Sequence, residues 1–167
     1  MRKLISRVLG GAALLGLLLV GPATQVAADN GDSLAAVRAA TAQYHDLDRA
    51  VAAGYAKFLP CFDSPGVGGM GQHYVKGSLI DGTVTPTKPQ ALVYEVDGDE
   101  LELVAVEYII PYTPGSTAPR LFGKPFLHNP ALGIWALHAW IWKSNPLGMF
   151  APYNPKVELC PGTPSQD

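Results

Sequence analysis

Positive charge is scarce in this chain: twelve Lys and Arg stand against fourteen Asp and Glu among 167 residues. Nucleic-acid affinity rests on neutralising phosphates, and no basic stripe is present to do it, so nucleic-acid partners are excluded. Anionic membrane surfaces are disfavoured for the same reason. Cysteine is nearly absent, with Cys61 and Cys160 alone. They are far too distant in sequence to form a Cys-x-x-Cys pair. No apolar run reaches the ~20 residues of a membrane-spanning helix, which argues against a stable membrane anchor. Gly-x-Ser-x-Gly and His-Glu-x-x-His are missing, which removes the usual support for a serine-hydrolase or zincin reading. Glycine and proline are plentiful, 18 and 15, but show no repeat period.

The amino terminus has the form of an export signal. Arg2, Lys3 and Arg7 precede an apolar stretch from Val8 to Val20, and Val26-Ala27-Ala28 supplies small residues for cleavage before Asp29. The expected organisation is a signal peptide over 1–28 and a single α+β domain over 29–167. Cleavage removes three basic residues and no acidic one, leaving nine against fourteen and a net charge of −5. A secreted, periplasmic or cell-envelope location follows, and in that setting Cys61 and Cys160 are expected to form one disulfide.

Ser33 or Asp32 is a suitable N-cap. Leu34, Val37, Thr41, Tyr44, Leu47, Val51 and Tyr55 recur at helical spacing up to Gly54, predicting one continuous helix to about Ala53. The remainder reads as strands and ordered loops. Leu92–Val96 and Leu101–Ile110 flank Asp97-Gly98-Asp99-Glu100, a hairpin signal. Ile134–Trp142 is a further strand, and a shorter one opens at His73. The predicted fold is one N-terminal helix packed on a curved antiparallel sheet or small open barrel. On the hairpin's second strand, simple alternation puts Leu101, Leu103, Ala105, Glu107 and Ile109 on one face. On the last strand it puts Ile134, Ala136, His138, Trp140 and Trp142 together.

Three ionisable residues interrupt these apolar ribbons: His73, Glu107 and His138. A buried carboxylate needs a proton, a cation or a metal beside it, because an unpaired buried charge is very costly. Two imidazoles and one carboxylate suit a divalent transition metal such as iron or zinc, and the nearby thioethers of Met70 and Met149 turn the choice toward copper. The same residues suit acid–base work, with Glu107 as general base and His138 as its partner. The bland reading makes the histidines hydrogen-bonded core and pairs Glu107 with Arg120, Lys124 or a histidine. His128 is a further candidate ligand, and His45 belongs to a solvated helix face. Tyr74, Tyr108, Trp140, Trp142 and Asn145 are the expected lining of a pocket for a small-molecule ligand. Gly66-Val67-Gly68-Gly69-Met70-Gly71 has the letters of a dinucleotide fingerprint. It is rejected because Pro60 and Pro65 argue against a preceding strand and no helix follows. A close-packed glycine entry to the His73 strand explains it better.

Gly69-Met70-Gly71-Gln72-His73-Tyr74-Val75, Val106-Glu107-Tyr108, Leu121-Phe122-Gly123 and the run from Leu137 to Phe150 together resemble a family of exported bacterial proteins whose activity is uncharacterised. The resemblance spans nearly all of the mature chain, including both cysteines. It implies export and a single domain and assigns no functional residue. Three functions stay open: a metal-binding protein or metalloenzyme, a non-catalytic binding module for a small apolar or aromatic ligand, and a structural protein of the cell envelope.

Overall fold

The computed structural model describes residues 33–164, so the export signal assigned to 1–28 lies outside the described residues. The chain opens with α1 (Leu34–Thr41), a 3₁₀ turn (Ala42–His45) and α2 (Leu47–Ala52). Ser33 caps α1, its hydroxyl accepting from the Ala36 amide at 3.1 Å. The expected continuous helix is therefore broken. Asp46 adopts an extended conformation and its carboxylate accepts from the Asp48 amide, starting a second helix. The break resets the helical phase: Ala50 becomes fully buried, while Val51, expected inward, is 52% exposed. Gly54, at φ +93°, ends α2 as expected.

Six antiparallel strands form the main sheet in the order β1-β2-β3-β4-β8-β7. They are β1 (Ala56–Ser64), β2 (Gly68–Val75), β3 (Ala91–Asp97), β4 (Glu100–Pro111), β7 (Leu127–Asn129) and β8 (Ile134–Ala139). Two short strands, β5 (Arg120–Leu121) and β6 (Lys124–Pro125), make a separate small hairpin. The Asp97–Glu100 turn joins β3 to β4 as the sequence predicts, with Gly98 at φ +58°.

Strand β1 was not expected, because prolines disfavour sheet interiors. It survives because it is an edge strand with a bulge between Phe58 and Phe62 that absorbs Leu59 (φ +56°) and Pro60. A strand thus does precede the glycine run, contrary to the sequence argument. The dinucleotide reading still fails, since the run turns antiparallel into β2 with no helix after it.

A second bulge matters more. Val93 pairs with Ala105, but the next residue, Tyr94, pairs with Leu103, leaving Val104 as the extra residue. One extra residue flips every side chain beyond it. Leu101 and Leu103 therefore join Val106 and Tyr108 on the helix side, and only Ala105, Glu107 and Ile109 keep the expected common face. The helix-side core also gathers Val37, Ala50, Tyr55, Tyr74, Leu92, Tyr94 and Leu137. Each large apolar side chain fully buried there contributes about 1.5–3 kcal/mol. Tyr94 and Tyr108 satisfy their hydroxyls by donating to the Tyr44 and Pro86 carbonyls at 2.6 and 2.7 Å.

The last strand also ends earlier than expected, at Ala139. Trp140 donates its amide to Met149, and the amides of Trp142 and Lys143 both turn to the Val104 carbonyl. Alternation is lost there. Trp142 packs on the helix side against His45, with ring centroids 4.5 Å apart, while Trp140 lies in the other cluster with Val93 and Val104.

The C-terminal segment folds back over the start of β2. Asn154 bridges Gly69, whose amide donates to Val157. A Cβ on Gly68 or Gly69 would collide with the backbone of Asn154 or Glu158, so glycine is required for this crossing. Cys160 closes a disulfide to Cys61, 99 residues away, with a Cα–Cα separation of 5.7 Å. Buried Glu95 ties β3 to the same segment, accepting from the Glu158 amide at 2.7 Å and pairing with Lys143.

Candidate functional site

His73 comes from β2, Glu107 from β4 and His138 from β8. Glu107 and His138 are direct cross-strand partners, with Ala91 opposite Glu107 on its other side. His73 sits one diagonal away, opposite Val93. In a flat sheet β2 and β8 would be three steps apart, ~14 Å. The His73 and His138 Nε2 atoms are nevertheless 3.3 Å apart. The sheet must therefore curl around this face, and the bulges supply the extra twist. The small side chains of Ala91 and Ala105 leave room on the concave side.

Glu107 Oε2 lies 3.5 Å from His73 Nε2, and Glu107 Oε1 lies 3.5 Å from His138 Nε2. All three residues are 4–6% exposed. The expected partners Arg120 and Lys124 are not involved: they lie in the β5–β6 hairpin, where Arg120 donates to the Gly123 carbonyl. The partners of Glu107 are the two histidines. This is the sequence-predicted trio, brought together by non-local pairing.

Burial controls its electrostatics. Desolvation raises the Glu107 carboxyl to about 8. Desolvation lowers His73 to about 4, offset slightly by the Gly71 backbone, and lowers His138 to about 3 with the neighbouring His73 adding to the effect. Without a cation the favoured state at neutral pH is thus a protonated Glu107 beside two neutral imidazoles. His73 Nδ1 is buried and makes no hydrogen bond of good geometry. His138 stacks on Trp140, with ring centroids 6.1 Å apart and planes 15° from parallel.

A cleft of about 300 Å³ opens above the trio. Its walls are apolar: Phe58 and Phe62 from β1, Val75 and Ile109 beneath, Leu127, Leu132 and Ile134 from the β7–β8 edge, and Pro152 and Tyr153 from the C-terminal segment. Met70 lines it, but Met149 does not. His128 lies at the rim, stacked on Tyr112 with centroids 4.1 Å apart, and is not part of the trio. His45 stands on the opposite side of the sheet beside Trp142.

The five residues expected to line a pocket are not in this cleft. Tyr74 and Tyr108 point to the helix-side core, as alternation with His73 and Glu107 requires. Trp142 follows them there because β8 has already ended. Trp140 backs His138 from within the core, its indole donating to Ala151 at 2.6 Å. Asn145 holds the C-terminal segment in place by donating to the Tyr153 carbonyl at 2.8 Å. The residues that do line the cleft, Phe58 and Phe62, went unread with β1. Their signal was the spacing of two aromatics across Leu59-Pro60-Cys61, which makes sense only once the bulge is known.

Comparison with protein-family models, with curated proteins and with solved structures finds no match.

Proposed function

We propose that this chain is an exported protein that holds one divalent transition metal on His73, Glu107 and His138. The observation that carries the reading is convergence. Three ligand atoms, one from each residue, lie within 4.8 Å of one another, and all three residues are buried. No Lys or Arg among the described residues lines that cleft. Lone pairs aimed at a common point repel unless a proton or a cation lies between them.

Two imidazoles and one carboxylate suit zinc and iron alike, and zinc is the metal that characteristically takes three such protein ligands and keeps one position open. The His73 and His138 Nε2 atoms, 3.3 Å apart, are close enough for one ion to reach both. His73, Glu107 and His138 would hold the ion with three protein ligands, as catalytic zinc sites do. A zinc ion held so would lower the pKa of its water to about 7, which suits metal-assisted hydrolysis.

Metal content of the purified protein after dialysis against zinc, cobalt, iron(II) or copper(II) tests this. One equivalent of zinc is expected in the wild type and none in His73→Ala or His138→Ala. No uptake of any of these ions, with thermal stability unmoved by them, rejects the metal.

A second reading has one observation in its favour. Metal-bound histidines almost always donate their other ring N–H to an acceptor, whereas His73 Nδ1 makes no hydrogen bond of good geometry and the Gly71 backbone acts on the ring only weakly. On this reading the trio works metal-free, with Glu107 carrying a proton that His138 exchanges. A metal-free protein whose ligand binding is insensitive to chelator supports it. The N-terminal signature, the Cys61–Cys160 disulfide and the resemblance to exported bacterial proteins support the extracytoplasmic setting in either case. No helix among the described residues is long and apolar enough to cross a membrane.

A further inference from the structure

We propose that the cleft over the trio binds a small apolar carboxylate, its head on the metal and its ring or short chain along the walls. This inference rests on the metal reading.

Charge is the first argument. A divalent ion on two neutral imidazoles and one carboxylate leaves the centre at +1. Among the described residues that line the cleft, Glu107 is the one acidic side chain and none is Lys or Arg, so these residues do not neutralise that charge themselves. At residues this buried an uncompensated charge is costly, and a monoanion at the open position removes it. A dianion overshoots to −1, and a neutral ligand leaves the charge where it was.

The walls choose among monoanions. Hydroxide would balance the charge but would leave Phe62, Ile109 and Ile134 facing water. A ligand carrying one apolar group covers them. The volume, about 300 Å³, lies at the lower end of ligand pockets and holds one ring or a short acyl chain.

The mouth is the third argument. Phe58, Leu127 and Leu132 are 42%, 51% and 41% exposed, and all three line the cleft. They come from opposite edges of the sheet, β1 on one side and β7 with its following turn on the other. The curl of the sheet therefore gathers its exposed edge apolars into one rim around the metal. An apolar rim of this kind marks a ligand entrance.

Cobalt(II) substitution of the full-length protein tests the proposal, because its visible bands report the coordination shell directly. Octanoate and 3-phenylpropionate are expected to shift the bands. Each should bind at least about tenfold tighter than its primary amide, and at least about tenfold tighter than acetate. Leu132→Asp, at the rim and away from the ligands, is expected to keep the cobalt bands and to weaken both carboxylates. If one equivalent of cobalt binds but no carboxylate moves its bands, or the amides bind equally well, the carboxylate assignment is overturned and the metal site stands. If acetate binds as tightly as phenylpropionate, the apolar walls play no part and the proposal fails. If cobalt does not bind, both readings fall.

Discussion

Glu107→Gln separates the buried proton from everything else that holds this fold together. In the metal-free protein Glu107 keeps its proton to about pH 8, against an ordinary value of 4.5. The unfolded chain gives that proton up near pH 4.5. Between those values the folded state binds more protons, so stability is greatest at the acid end and is lost as pH rises toward 8. The imidazoles act in the opposite sense. His73 and His138 fall to about 4 and 3 from 6.5, so the unfolded chain binds more protons below pH 6.5 and stability is lost as pH falls. Above pH 6.5 the two imidazoles, still half-protonated in the unfolded chain at that pH, add a last ~1 kcal/mol of stability as pH rises. The Glu107 contribution falls by ~2 kcal/mol over the same interval, so the expected net loss between pH 6.5 and 8.0 is ~1 kcal/mol. Urea unfolding in the presence of chelator, with the disulfide intact, measures it. Glutamine does not titrate, so the variant should lose that pH dependence. Zinc should reverse the wild-type trend, because it holds Glu107 ionised and is bound more tightly as protons become scarce. The variant should show little such stabilisation. Wild-type protein equally stable at pH 6.5 and 8.0 in chelator, or a glutamine variant that keeps the loss, would refute the assignment of a buried, protonated Glu107.

Three further predictions follow from the packing. Replacing Cys61 and Cys160 together by serine removes the closure of a 99-residue loop and should cost ~4–5 kcal/mol, read as a lower urea midpoint. The same variant should weaken any cleft ligand, since the tethered segment supplies Pro152 and Tyr153. Gly71→Ala places a Cβ 2.5 Å from the Tyr94 carbonyl at a φ of +100°, and should cost about 1–3 kcal/mol by chemical denaturation. Lys143→Met leaves the buried Glu95 carboxylate with the Glu158 amide as its remaining partner. A loss of about 1–3 kcal/mol is expected, read as a lower urea midpoint.

Much of the fold was legible wherever the signal was local. Asp97-Gly98 between two β-rich runs specified its hairpin, and Ser33 and Gly54 marked the helical segment's ends, because turns and caps are decided by a few adjacent residues. Errors arose where a local exception changed the phase. Asp46 restarted the helix and turned Val51 outward. Val104 bulged from β4 and sent Leu103 to the other face. Trp142 lay beyond the true end of β8. In β4 the shift is a single residue, and it reverses the face because side-chain direction in a strand has a period of two.

From residues alone one can read the one available cysteine pair and three ionisable side chains that a mostly apolar surrounding would have to neutralise. Their meeting was decided only in three dimensions. His73 and His138 are 65 residues apart and three strands apart, and they touch because bulged, glycine-rich strands let the sheet curl. Curl is a property of a whole sheet, summed from twist and pairing over distant segments, and no stretch of sequence contains it. The same curl brings the apolar edges around the trio and so makes a cleft where the sequence shows only scattered Phe and Leu.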